Sequence, residues 1–231
     1  MKRLIAAVLC LAAAACTTPA PDAAPPSTGA SSGAPTTVPT SAGDPQAISA
    51  AFETYREAAL AKDGAAALPV LLSNTFKIYD GIRREAVTGT EQTVATQRPS
   101  ARLLTYAMRA ELDHAVLRTG SPQDLVKTII DRGLVNADDA RDIALSRPTI
   151  HNGVALARYA VRGEQASGMI GFGLEDGVWK FDLPALFDLS DLAFNQQKNR
   201  EGLTSEQLVD QLLTTRYGAA RAAKLRTPLG A

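Results

Sequence analysis

From residue 45 onward the apolar positions recur first with a helical period and then with a strand period. Asp44-Pro45 is a helix start, a capping residue followed by Pro at the first position. Ile48, Phe52, Tyr55 and Ala59 then share one face to about Lys62, and Asp63-Gly64 breaks the helix. A short second helix carries Leu68, Leu71 and Leu72. Ser73 or Asn74 can cap a third, with Phe76, Tyr79, Ile82 and Ala86 inside it and Gly89 at its end. Pro99 opens another, with Leu103, Leu104, Ala107 and Met108 on one side. Ser121-Pro122-Gln123-Asp124 combines a cap, a Pro and an acid three residues on; Leu125, Ile129 and Ile130 follow, and Gly133 stops the helix. Asn136, Asp138 and Asp139 begin one more short helix, so residues 90 to 147 read as mostly helical.

The period changes after Pro148. Val154 to Val161 reads as a strand with Ala155, Ala157, Tyr159 and Val161 on one face. Gly163 marks a turn, and Ser167 to Leu174 is a second strand in which Ile170, Phe172 and Leu174 alternate. Glu175-Asp176-Gly177 is a hairpin turn into a third strand, Val178 to Leu183, with Trp179 and Phe181 facing one way and Lys180 and Asp182 the other. Gly168, Gly171 and Gly173 crowd the second strand and point to a bend, a bulge or close backbone approach. Pro184 leads into a helix with Leu186, Phe187 and Leu192. Thr204-Ser205-Glu206-Gln207 is a capping box for a last helix carrying Leu208, Val209, Leu212, Leu213 and Tyr217. Helices followed by an antiparallel hairpin sheet give an α+β fold: a curved, cone-like sheet with an extra helical insertion and C-terminal helices.

Residues 1 to 44 follow a different pattern. Met1-Lys2-Arg3, the apolar run Leu4 to Leu11 and the small residues Ala12 to Ala15 have the layout of a secretory signal. Ala13-Ala14-Ala15-Cys16 resembles the lipobox of bacterial lipoproteins, with Ala13 where that motif usually has Leu. The resemblance implies cleavage before Cys16 and acylation of its thiol, palmitate being one such chain. The other reading is a soluble secreted protein cut after Ala15, which would leave an exposed, reactive thiol. Several acyl chains on one residue anchor firmly. Thr17 after the Cys implies the outer membrane, facing the periplasm, if the cell is Gram-negative. Residues 17 to 44 hold six Pro, six Ala, six Thr, four Ser and three Gly, a composition expected to form a disordered tether. The expected organisation is therefore a signal peptide at 1–15, a lipidated Cys and tether at 16–44, and one domain at 45–231.

Composition narrows the function classes. Of 231 residues, 24 are Lys or Arg and 24 are Asp or Glu, so no broad cationic surface for nucleic acid is expected. The two Cys, Cys10 and Cys16, lie in the signal region and the two His are His114 and His151. Neither a disulfide scaffold nor a metal site is expected, and no cofactor motif is present; Gly168, Gly171 and Gly173 lie inside a strand with no helix after it. The stretch 211 to 231 has Arg216, Arg221, Lys224 and Arg226 and no acid, suited either to anionic lipid headgroups or to pairing with carboxylates of the fold.

Phe52-x-x-Tyr55, Lys62-Asp63-Gly64 with Leu68, and the hairpin Asp176-Gly177-Val178-Trp179-Lys180-Phe181-Asp182-Leu183 are similar to the nuclear transport factor 2-like superfamily, which includes ketosteroid-isomerase-like proteins. The resemblance spans roughly residues 46 to 187. It implies a bent sheet wrapped around helices and enclosing a conical cavity. In the isomerase relatives a carboxylate base and a Tyr or Asp donor project into that cavity, and the candidates here are Tyr79, Asp80, Tyr106, Asp113, His114 and Asp182. Each also has an ordinary role: Tyr79 and Tyr106 in core packing, Asp113-His114 at a helix end, Asp182 on the solvated face of a hairpin. The expected function is that of a lipid-anchored envelope protein, non-enzymatic, whose domain binds a small apolar ligand or an envelope protein. The alternatives are a small cavity enzyme of isomerase or dehydratase type and an envelope assembly factor. Converging ionisable groups in an apolar cavity would mark the enzyme. An apolar cavity with few charges would mark a ligand-binding module, and a filled cone with an exposed apolar patch an assembly factor.

Overall fold

The computed structural model describes residues 43–135 and 140–229. The expected signal, Cys16, the tether up to residue 42 and the start of the short helix at Asn136 lie outside them. The fold is α+β, with an antiparallel sheet curled into a half-barrel and covered by helices.

The helices are α1 (Pro45–Ala61), α2 (Gly64–Ala67), α3 (Ser73–Thr88), α4 (Glu91–Ala95), α5 (Pro99–Glu111), α6 (His114–Thr119), α7 (Pro122–Asp131), α8 (Leu186–Glu201), α9 (Ser205–Tyr217) and α10 (Ala219–Leu225). The local caps read from the sequence are in place: Asp44 accepts from Gln46 N at 2.8 Å, and Ser121 with Asp124 and Thr204 with Gln207 form reciprocal capping boxes. Neither Ser73 nor Asn74 caps α3 with its side chain. Instead the carboxylate of Glu175, 102 residues away, accepts from Ser73 N at 3.0 Å and from Ser73 Oγ at 2.7 Å. The same device recurs twice. Asp131 accepts from Gly64 N at 2.7 Å, and Asp191 accepts from Ser100 N at 2.7 Å. Three helix N-termini thus receive a carboxylate from a distant element, where it meets free N–H groups and the positive end of the dipole.

The sheet has strands β1 (Ile143–Leu145), β2 (Thr149–His151), β3 (Val154–Val161), β4 (Glu164–Glu175) and β5 (Val178–Phe181). The order is β1-β3-β4-β5, with β2 also on β3. Asn152-Gly153, Arg162-Gly163 and Asp176-Gly177 each have positive φ at both positions, the geometry that joins twisted strands by two residues. The register of β3 with β4 shifts between Arg158 and Ala160. β1 corrects the expectation of helix up to residue 147, and β2 adds a strand before Val154; they are three residues each, too short for a period to show. α4 and α6 are likewise short additions.

Two cores are present among the described residues. The larger lies between the concave face of the sheet and helices α1, α3 and α7. Phe181 is its hub, with ring centroids 5.4 Å from Phe52, 4.7 Å from Tyr55 and 5.7 Å from Phe172. Trp179 shares that face and is 1% exposed. The second core joins Leu103 and Tyr106 of α5 to Phe194 of α8 and to Leu208, Val209 and Leu213 of α9. Helix α5 therefore serves both, and its four expected core positions do not share one side. Leu104 and Met108 enter the first core and Leu103 the second. Arg102, Thr105 and Arg109, also buried, form a polar row between them at i, i+3, i+7 spacing. Leu192, read as apolar helix face, is 40% exposed.

Candidate functional site

Tyr79 and Asp182 come together and the other candidates do not. Tyr79 sits on α3, 2% exposed, its ring 5.6 Å from that of Phe187. Thr75, one turn earlier, is fully buried. Asp182 follows β5 and extends its pairing, its N–H donating to Gly171 O at 3.0 Å. Tyr55 enters from α1. Burial holds the Tyr79 hydroxyl well above the usual phenol range, and the charges of Tyr55 and Asp182 push the same way. Burial alone raises Tyr55. Asp182 is raised by burial and by neighbouring Asp188. Tyr55 Oη, Thr75 Oγ1 and Asp182 Oδ1 have no hydrogen-bond partner among the described residues. Two phenols held protonated near a carboxyl group of raised pKa could donate hydrogen bonds and exchange a proton. Tyr55 belongs to this group although the sequence read it only as core; no local pattern separates a core tyrosine from a functional one.

The packing closes this arrangement. Phe52, Tyr55, Phe172 and Phe181, each at most 1% exposed, fill the concave side. Two recesses of about 370 Å³ each lie elsewhere. One is lined by Glu91, Asp210 and Arg226, the other by Arg83, Arg84 and Arg118. Neither is lined by Tyr55, Tyr79 or Asp182.

The remaining candidates are dispersed. Asp80 pairs with Arg83 and with Arg84 on α3. Tyr106 lies in the second core, flanked by the guanidinium groups of Arg109 and Arg226, each 5.8 Å from its ring. Asp113 is exposed and 3.7 Å from Arg132. His114 is exposed and begins α6, so it meets the N-terminal end of a helix and not the carbonyls of a C-terminal end. In the C-terminal stretch the arginines are paired inside the fold. Arg216 binds Glu111, Arg226 binds Glu91 and Asp210, and Arg221 donates to Ala110 O.

The convex side of the sheet is different in kind. Val154 is 52% exposed, Leu156 45% and Met169 47%. Val154 lies opposite Gly173, Leu156 opposite Gly171 and Met169 opposite Arg158. The glycines add no side chain of their own: Leu72 occupies the space over Gly173, and Asp182 and Leu156 border that over Gly171. No sequence pattern marks this face, because the alternation along β3 is dominated by the buried Ala155 and Ala157.

Among the described residues no helix is long and apolar enough to cross a membrane, and no group of three or more His, Cys, Asp or Glu is placed to hold a metal. Comparison with known families, with curated proteins and with solved structures finds no match for the chain.

Proposed function

We propose that this chain is a lipid-anchored protein of the cell envelope whose α+β domain binds an envelope protein through the convex face of its sheet, without catalysis of its own. The observation that carries the reading is the contrast between the two faces. The concave side is packed solid around Phe181, while the convex side leaves Val154, Leu156 and Met169 exposed next to one another. Contiguous exposed apolar side chains are costly unless something covers them. The rim is charged, with Arg158 beside Met169 and the Lys180–Glu175 pair at 3.3 Å, as expected where an apolar centre is bordered by polar groups. The anchor part of the reading rests on the lipobox-like Ala13-Ala14-Ala15-Cys16, and the resemblance to nuclear transport factor 2-like proteins bears on architecture alone.

The test has two arms in intact cells. An alkyne-tagged palmitate analogue should label the wild-type chain, and Cys16→Ser should abolish the label and release the protein from membranes. A photo-crosslinking residue at Leu156 should give a discrete adduct with another protein, and one at exposed Gln196 on α8 should not. Label that persists in Cys16→Ser ends the anchor reading. Equal crosslinking at both positions ends the assignment of the face.

A second reading, a proton-transfer enzyme of isomerase or dehydratase type, is favoured by Tyr79 and Asp182 lying near each other with raised pKa values. It requires the aromatic side chains of the concave face to part.

A further inference from the structure

We propose that the recess between α3 and α6 binds a phosphate monoester whose organic part is apolar. Three guanidinium groups border it, from Arg83 and Arg84 on α3 and Arg118 on α6, with Val87 and Leu117 supplying apolar surface in a volume of about 370 Å³. The arginines are not equivalent. Arg83 is fixed: it donates from Nη1 to Gly120 O at 2.6 Å and pairs with Asp80. Arg84 is 72% exposed, and its Nε is 3.6 Å from the same Asp80. Arg118 uses one nitrogen to reach Leu229 O at 2.8 Å.

Asp80 is thus the single carboxylate among the ion pairs described for these three cations, and the recess carries an excess of positive charge. Each guanidinium has five N–H donors in a planar fork, so most of those on Arg84 and Arg118 remain available. That fork matches the paired oxygens of a phosphate, and two flexible arms flanking one fixed arm can close on a tetrahedral oxyanion. Half-buried Val87 is the apolar wall, which would gain nothing from inorganic phosphate; Leu117, 1% exposed, only closes the floor behind it. Val87 favours a ligand in which the phosphate is joined to a hydrocarbon. Such a group occurs both as a lipid headgroup and as a soluble phosphoester.

Calorimetric titration of the full chain in a zwitterionic detergent distinguishes these sources. Hexyl phosphate should bind at least about threefold more tightly than inorganic phosphate, the difference arising from the apolar wall. Arg84→Gln combined with Arg118→Gln should weaken hexyl phosphate at least about tenfold. The melting temperature should stay within about 2 °C, since both side chains are exposed. The single Arg84→Gln should show a smaller loss in the same direction, and it stands as the readout if the double variant does not fold. Phosphatidic acid in the same micelles, bound about tenfold more tightly than hexyl phosphate, identifies a lipid headgroup; equal affinity identifies a soluble phosphoester. The inference is overturned if the wild-type chain binds none of these, or if the folded variants bind hexyl phosphate as the wild type does.

Discussion

Two carboxylates, Glu175 at the end of β4 and Asp182 just after β5, respond to acid in opposite directions. Glu175 is held below the usual range: burial opposes this, but the hydrogen bonds from Ser73 and the nearby Lys180 outweigh it. A depressed folded-state pKa adds stability above the unfolded value, near 4.5, that is lost as pH falls through the folded one. Glu175→Gln should therefore cost about 1 kcal/mol at pH 7, the value of a helix cap, and progressively less as the pH falls below the unfolded value. Asp182 is raised by burial and by Asp188, so the folded state binds its proton more tightly than the unfolded state does. Stability then falls as pH rises from near 4 through the folded pKa, and Asp182→Asn should be more stable than the wild type at pH 7, with the gain shrinking toward pH 3. Urea denaturation at both pH values checks the pair; a gain of the same size at pH 3 would remove Asp182's ionisation as the cause. Neither sign was legible in the sequence. The local pattern makes Glu175 a turn residue and Asp182 solvated, because what fixes them lies far away along the chain: Ser73 for Glu175, and for Asp182 the packing that buries it.

At the scale of elements, legibility follows the range of the interaction that fixes each one. α1, α7 and α9 carry their own caps, and β3, β4 and β5 are set by turns whose Gly lies at a positive-φ position, so all six were readable. β1 and β2 exist because β3 offers them an edge, and α3 and α5 take their N-terminal carboxylates from β4 and α8. Helix α5 is the clearest case. Its apolar positions were found, but not their division between two cores, nor the polar row between them. In that row Arg109 is 6% exposed and donates to four carbonyls: Glu85 and Ala86 in α3, Gly89 just beyond it at 2.5 Å, and Leu225 of α10. Burial lowers its pKa, and the charges of Tyr106 and Glu85 oppose this. Arg109→Leu would remove a donor from all four carbonyls, of which Glu85 O keeps the Gly89 N–H at 2.9 Å, and should cost on the order of 3 kcal/mol, whereas the same change at exposed Arg84 should cost under about 0.5 kcal/mol. Chemical denaturation compares them; similar losses would mean that Arg109 acts by packing alone.

The whole molecule is two packed units that share one helix. Phe194, 1% exposed, is the large aromatic that α8 contributes to the second core, and Phe194→Ala should cost about 3–5 kcal/mol. Hydrogen exchange should quicken most in α8, α9 and α10 and least in β3 and β4, because local openings follow the packing they depend on. Uniform acceleration would show a single cooperative unit instead. The separation by 116 residues of Arg109 and the Leu225 carbonyl also has a consequence in time. A ribosome releases the chain from its N-terminus, and α3 and α5 are complete long before α10 exists. Until Leu225 emerges, the buried guanidinium lacks its last acceptor and Leu103 and Tyr106 lack their cover. The nascent chain therefore cannot complete its second core early; the buried polar row on α5 waits for the last helix to emerge.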